Sequence, residues 1–488
     1  MTPPCDPCAA ELRRLRDDVA ALRRDVADGG AARLAQWGRA APDARLGNLA
    51  HYLALRSRDL SALQLRLSAH GLSSLGRSEA DVLISLDAVL ATLRRLCGEE
   101  APYPSAAERR AGEDALNHAC AQVFGESDDP RRTRIMATLP SEAADDPRLV
   151  EELLRAGMDC ARINCAHDDR LAWERMIENI RAAAQRLSRP CPILMDIAGP
   201  KLRIADVQAP EKYRLHQGER LRLVRRLAGD EGPVSFSINM PEVVSQLGAG
   251  SKIAFDDGKA LGKVVAVEGA DAVEIEIVAA RAKGLRLKRD KGVNFPSTDL
   301  DLAPLTAKDF ADLDIIAQRA DLVGFSFVQR AEDVRLLQTE LAARRGDARP
   351  QTLVLKIETP LSVRNLPQLI AQAAARHPTA VMIARGDLAV ELGFARLSEI
   401  QEEILWLCEA AHAPVIWATE VLDRLVHEGV GSRPETTDAA MAQRAECVML
   451  NKGAYLSDGV RFLRSVLDRM ERHHAKKFPR LARLRAWS

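Results

Sequence analysis

Three side chains in the second half of the chain have the types and spacing of a charge-handling site. Lys356 and Glu358 flank Ile357, and residues two apart on a strand point the same way. Asp387 follows Gly386, whose missing side chain lets backbone approach a ligand closely. Carboxylates converging from neighbouring strands suit Mg²⁺, which takes one or two of them and completes its shell with water and substrate oxygens. A lysine beside such an ion can neutralise charge on a transferring phosphoryl group or on an enolate. Any one of these residues alone would suit half of a buried ion pair. The three together, at strand ends, point to chemistry.

The elements that must position them are eight short apolar runs: 134–139, 160–165, 191–197, 322–327, 352–358, 380–385, 414–419 and 446–451. Runs this short and rich in Val, Ile and Leu suit strands buried on both faces of a parallel sheet. Eight of them, most followed by helix-length stretches, predict an α/β fold, a (β/α)₈ TIM barrel. Asn164, Asp196, Lys356, Glu358, Arg385, Asp387 and Thr419 fall at or just past the C-terminal ends of these runs, the face on which such barrels build active sites.

Around 206–290 the pattern changes to short alternating runs with Gly and Asp turns, predicting a small antiparallel β domain inserted after the third strand. Its position above the active face makes a lid its expected role. The expected division is a helical extension at 1–130, the barrel at 131–205 and 291–475, the inserted domain at 206–290 and a basic tail at 476–488. In the extension, Leu12, Leu15, Val19, Leu22 and Val26 predict an amphipathic helix ended by Asp28-Gly29-Gly30. Further helices are expected at 45–70 and 78–97, the second capped by Ser78, with 101–105 and 124–132 as linkers and a last helix near 459–474.

Composition narrows the class. Sixty-nine basic residues balance sixty-nine acidic ones and aromatics are only 4% of the 488 residues, which argues against nucleic acid and membrane surfaces as partners. No apolar run approaches a membrane span and the N-terminus carries no apolar signal core, so a cytoplasmic protein is expected. The nine cysteines are odd in number and mostly within apolar segments, as buried thiols are. The Cys5–Cys8 pair lacks a second pair at zinc spacing.

With these residues in view, the stretch 131–460 resembles pyruvate kinase. The matching segments, in family order, are ARIN with His167, the D-x-x-G-P-x-x-R of Asp196–Arg203, DDG (256–258), KGVNFP (291–296), KIE (356–358), ARGDL (384–388), WAT (417–419) and SRPETTD (432–438). The resemblance implies phosphoryl transfer from phosphoenolpyruvate to ADP, giving pyruvate and ATP, with Mg²⁺ or Mn²⁺ on Glu358 and Asp387. It makes Lys356 the stabiliser of the transferring group, Arg162 a phosphate ligand with Arg203 beside it, and Gly386 and Thr419 the seat of the substrate carboxylate. Asn164, His167, Arg203, Lys291 and Asp257 would face the nucleotide.

Departures from the family carry their own expectations. Ala166 and Ile197 stand at two positions of the family's K⁺ site, and Lys201 stands where K⁺-dependent members carry glutamate. Its ammonium beside Asp196 is expected to replace the monovalent ion, giving K⁺-independent activity. Cys165 replaces a phenylalanine, and Asn451-Lys452-Gly453 replaces an S-G-E motif on the nucleotide side. The family's C-terminal regulatory domain is expected to be missing and the helical extension to be an addition; a homo-oligomer is expected. The alternatives are a non-catalytic sensor of phosphoenolpyruvate or nucleotide and a metal-dependent aldolase or lyase working through pyruvate enolate. The segments 206–290, Arg162 and Lys356 favour the phosphoryl-transfer reading over the aldolase.

Overall fold

Each apolar run forms a strand: β1 (Arg134–Thr138), β2 (Cys160–Asn164), β3 (Ile193–Asp196), β4 (Leu322–Phe325), β5 (Thr352–Ile357), β6 (Thr379–Ala384), β7 (Val415–Ala418) and β8 (Cys447–Leu450). In the computed structural model, which describes residues 7–38, 44–126, 129, 131–227, 229, 232–296, 298–346, 348–476 and 478–479, these close into a barrel. Around it the order is β1-β8-β7-β6-β5-β4-β3-β2 and every pairing is parallel. Cys5 and most of the basic tail lie outside the described residues.

Strand parity divides the interior into an apolar base and a polar mouth. Cys160, Leu194, Leu322, Val354, Met382 and Ile416 pack together on the axis. Two residues further along, β2, β3 and β5 carry Arg162, Asp196 and Lys356, so the period of two that fills the base with apolar atoms delivers charge to the mouth.

The segment between β3 and β4 forms a seven-stranded sheet with a core of its own, in which Phe236 meets Phe255 edge to face with ring centroids 5.5 Å apart. It takes in Ile204–Gln208 and Val293–Asn294, either side of the expected 206–290. One pairing departs from the antiparallel expectation: Arg220–Val224 runs parallel to Ser235–Ile238.

The extension comprises α1 (Pro7–Gln36), α2 (Ala44–Arg56), α3 (Ser61–Ala69), α4 (Val82–Leu96) and α5 (Ala111–Phe124). Three expectations need correction. Asp28-Gly29-Gly30 does not end α1; α2 crosses it there, and a Cβ on Gly30 would stand 2.2 Å from the His51 ring. The glycines permit close helix contact, not a stop. The 45–70 pattern is two helices, broken near Ser57–Leu60. Ser78 does not cap α4: its hydroxyl is buried and donates to the Leu75 carbonyl. The free amide of Val82 is instead met by Asn48 of α2, whose Nδ2 also donates to the Glu79 and Ala410 carbonyls.

Helix α5 had no counterpart in the sequence expectations. Its last residues, Val123 and Phe124, insert among Met136, Leu194, Val354 and Met449 and stopper the base of the barrel. The bundle also covers one barrel flank: Arg56 stacks on Trp406 at 4.9 Å, and His412 Nε2 lies 2.7 Å from the Ala80 carbonyl. Among the described residues no helix is long and apolar enough to cross a membrane.

Candidate active site

At the centre of the mouth Arg162, Lys201 and Lys356 pair with Asp196, Glu358 and Asp387. Arg162, at the end of β2, grips Asp196 Oδ2 through Nε (2.7 Å) and Nη2 (2.6 Å), while its Nη1 donates to Thr138 Oγ1 at 2.9 Å. Lys356 Nζ lies 3.4 Å from Asp196 Oδ2 and 3.3 Å from Glu358 Oε1, and donates to Ser326 Oγ at 2.6 Å. Glu358 Oε2 accepts the Phe327 amide at 2.6 Å. Lys201 Nζ reaches both oxygens of Asp387 at 3.0 Å.

Burial opposes charge on Asp196, Lys356 and Glu358 alike, and the neighbouring charges offset it to different degrees. Burial pushes the Asp196 carboxyl up, but Arg162 and Lys356 together hold it below its ordinary value. Burial works against the Lys356 ammonium, yet Asp196 and Glu358 keep it above its ordinary value. Glu358 goes the other way: burial, with the charge of Asp387 added, outweighs Lys356 and raises it. Two carboxylates that repel each other across adjacent strands form a donor set that a divalent cation would relieve. Among the described residues no group of three or more His, Cys, Asp and Glu gathers at a metal-holding spacing, so an ion here would draw its remaining ligands from water and substrate.

One expected pairing is not found. Lys201 does not share its ammonium with Asp196, whose charge is met by Arg162 and Lys356; it sits on Asp387 instead. Lys201 follows the Gly199 turn after β3, which carries it across the barrel mouth to the helix beginning at Arg385.

Gly386 and Thr419 do meet. The Gly386 amide donates to Thr419 Oγ1 at 2.7 Å, so that N–H is occupied by the hydroxyl. Thr419 and Glu420 hold φ of +69° and +57°, a left-handed stretch that a β-branched residue adopts only when its surroundings impose it. Arg385 supplies part of that constraint: it donates to the Ala418 and Thr419 carbonyls, stacks on Trp417 and pairs with Asp438 of the SRPETTD segment.

The residues expected to face a nucleotide ring the same mouth. Asn164 Oδ1 accepts the Ala166 amide at 3.2 Å, and His167 is exposed, its imidazole lowered first by partial burial and then by the charge of Lys452. Arg203 anchors to the Asp290 carbonyl. Lys291 pairs with Asp256 at 3.1 Å, and the neighbouring Asp257 holds φ +56° in the inserted sheet's turn; burial and then Asp423 raise Glu420 on the barrel, with the charge of Asp257 adding to them. Cys165 is fully buried, which pushes its thiol well up and leaves it inert.

Sequence reasoning passed over Ser326, Thr138, Gly324 and Glu391. Ser326 and Thr138 share the inward parity of Leu322 and Met136, which was the available signal. Gly324 has a spatial reason: a Cβ there would lie 1.7 Å from Asp196 Oδ1. Glu391 accepts from Asn294 of the inserted sheet at 3.1 Å and lines a cavity of about 500 Å³ beside Lys201 and Phe295. Burial pushes its carboxyl up to about 7, against the Asn294 hydrogen bond. Since the folded state holds this proton more tightly than the unfolded chain, its contribution to stability is full below the ordinary carboxyl range and is lost as pH rises toward 7. Glu391→Gln is expected to flatten the decline in unfolding midpoint between about pH 5 and 7; an unchanged slope in thermal denaturation would contradict this.

A closed parallel barrel with a β insertion after its third strand and a charged mouth defines an α/β-barrel enzyme fold. The family described as "Pyruvate kinase, barrel domain" matches residues 130–459. This chain belongs to the pyruvate kinase family. It is 32% identical over 350 residues to a pyruvate kinase of Agrobacterium vitis, covering 70% of this chain and 69% of that protein. To that of Geobacillus stearothermophilus it is 33% identical over 349 residues, 70% of this chain and 57% of the relative. The crystal structure of a pyruvate kinase from Cryptosporidium parvum superposes with a TM-score of 0.63 at 24% identity, over 73% of this chain and 70% of that one, a likeness of fold.

Proposed function

We propose that the chain transfers the phosphoryl group of phosphoenolpyruvate to ADP. The observation that carries this reading is Lys356, kept charged between Asp196 and Glu358 with Arg162 alongside. In-line phosphoryl transfer demands mainly positioning and cationic stabilisation of the equatorial oxygens. The bond from phosphorus to the enol oxygen breaks, a bond to the terminal oxygen of ADP forms, and the enolate left behind takes a proton on carbon to become pyruvate.

Arg162 would hold the phosphoryl oxygens and Lys356 would follow the charge as it moves from phosphorus onto the enolate. Thr419, with Gly386, would seat the substrate carboxylate; the substrate would compete with the Gly386–Thr419 hydrogen bond. Asn164, His167, Arg203 and Lys291 would receive the nucleotide, with Asp257 closing over it on the inserted domain and excluding water that could intercept the phosphoryl group. Glu358 and Asp387 would hold Mg²⁺ or Mn²⁺, which supplies electrophilic stabilisation of the substrate oxygens; Asp387 would have to loosen its hold on Lys201. The expected setting is cytoplasmic.

Within the central cluster of the mouth Lys201 completes three cations against three carboxylates. On this basis exchanging Na⁺ for K⁺ is expected to leave turnover unchanged, and Lys201→Gln to lower it by about tenfold, ~1.4 kcal/mol on the barrier. A coupled assay of pyruvate formation in K⁺-free buffer checks both. A large rise on adding K⁺ to the wild type would reject the ion-replacement role, and absence of pyruvate under every salt would reject the kinase reading itself.

A further inference from the structure

Oxygen atoms from two neighbouring elements converge on the guanidinium of Arg385, one residue before Gly386. Its Nε donates to the Ala418 carbonyl at 3.0 Å, and its Nη2 to the Thr419 carbonyl at 2.7 Å. Nη2 also reaches Asp438 Oδ2 at 2.8 Å while Nη1 donates to Asp438 Oδ1, so the carboxylate takes the fork with both oxygens. The guanidinium carbon stands 4.7 Å from the centre of the Trp417 ring. With the Arg385 side chain only 13% exposed, these charge-assisted bonds are largely shielded from water and geometrically strict.

The partners belong to different parts of the barrel. Ala418 ends β7 and Thr419 follows it, Arg385 opens the helix Arg385–Leu392 after β6, and Asp438 lies in the helix Arg433–Ala442. They meet around the spot where the Gly386 amide donates to Thr419 Oγ1. The loop held there departs from ordinary backbone: Thr419, Glu420 and Leu422 have φ of +69°, +57° and +51°. Left-handed backbone at β-branched and bulky residues persists only where the surroundings over-determine it. Arg385 does so by fixing two successive carbonyls. That sets the rigid peptide planes on both sides of Thr419, and with them the direction of its Cα–Cβ bond. A lysine could satisfy one of these carbonyls, but not the pair together with the carboxylate.

We propose that Arg385 and Asp438 are positioning residues for the Thr419 hydroxyl, holding it where it seats the carboxylate of phosphoenolpyruvate. The inference rests on the kinase reading given above and adds two residues to it. Neither touches the substrate: Asp438 aims the fork, and the fork aims Thr419. Arg162 and Lys356 stand on β2 and β5, outside this clamp. Loosening it therefore weakens the hold on the substrate carboxylate and leaves the nucleotide side of the mouth as it was.

The test is steady-state kinetics of the full chain with Mg²⁺, reading KM separately for phosphoenolpyruvate and for ADP. Asp438→Asn keeps the shape of the side chain and removes its charge. It is expected to raise KM for phosphoenolpyruvate about tenfold and to leave that for ADP within about twofold. Arg385→Lys is expected to raise it at least as far. Placed on Thr419→Ala, Asp438→Asn is expected to add little, because the hydroxyl being aimed is already gone. Unfolding midpoints are measured alongside, and Asp438→Asn, half-exposed and nearly isosteric, keeps the test decisive if Arg385→Lys does not fold. Three results would overturn the proposal: wild-type KM for phosphoenolpyruvate in folded Asp438→Asn, whatever its midpoint; equal rises for both substrates; or full additivity with Thr419→Ala. A wild type that forms no pyruvate overturns the kinase reading and this role with it, an outcome distinct from an active wild type with indifferent variants.

Discussion

Lys356→Ala is expected to cut pyruvate formation by about 10³-fold or more, the scale on which a single cationic group acts in phosphoryl transfer. The expected effect is large because, among the described residues, Lys356 is the cation in direct reach of both Asp196 and Glu358. Its loss removes charge from the reacting centre and leaves two buried carboxylates facing each other. The second consequence costs stability, roughly 3–5 kcal/mol for a broken buried pair, so the unfolding midpoint must be measured beside turnover. Lys356→Arg separates the two: it keeps the positive charge but cannot place a compact ammonium against Ser326 Oγ, and is expected to restore folding more than rate. Folded Lys356→Ala protein retaining more than about a tenth of wild-type kcat would assign the catalytic cation elsewhere.

Phe124→Ala is expected to destabilise the whole barrel by about 3–5 kcal/mol, the usual cost of emptying a buried aromatic site. Phe124 is 3% exposed and its neighbours are the innermost residues of several barrel strands. The void would open into the axis, where eight strands limit how far the walls can collapse. Removing residues 1–125 altogether is expected to yield insoluble protein, because it uncovers both that base and the flank around Trp406 and His412. Urea denaturation of Phe124→Ala with an unchanged midpoint would show that α5 only rests on the barrel; soluble, cooperatively folding protein after the deletion would show the extension to be dispensable for the fold.

The barrel was legible because its strands are buried on both faces, so each shows as a continuous apolar run that ends where the mouth begins. Counting by twos along the sequence from Leu194 or Val354 leads to Asp196 and Lys356. The extension was less legible. Gly29 and Gly30 look like a helix stop, yet their lack of side chains serves a crossing helix, and sequence cannot tell a glycine that frees the backbone from one that makes room. Asn48 is similar: it caps α4 from α2, and no local pattern near Ser78 announces a cap supplied from 34 residues away.

By itself the sequence determined the eight strands, the position of the insertion and the identities of the charged residues at the mouth, since these follow from local periodicity and order. Only the tertiary structure decided which charges pair. Asp196 goes to Arg162 and Lys356, and Lys201 crosses to Asp387, because closure of the barrel sets the distances across the mouth. It also decided that Gly324 must be glycine and that Phe124 is a stopper. Pairing and packing depend on separations between residues remote in the chain, and those distances exist only once the sheet has closed on itself.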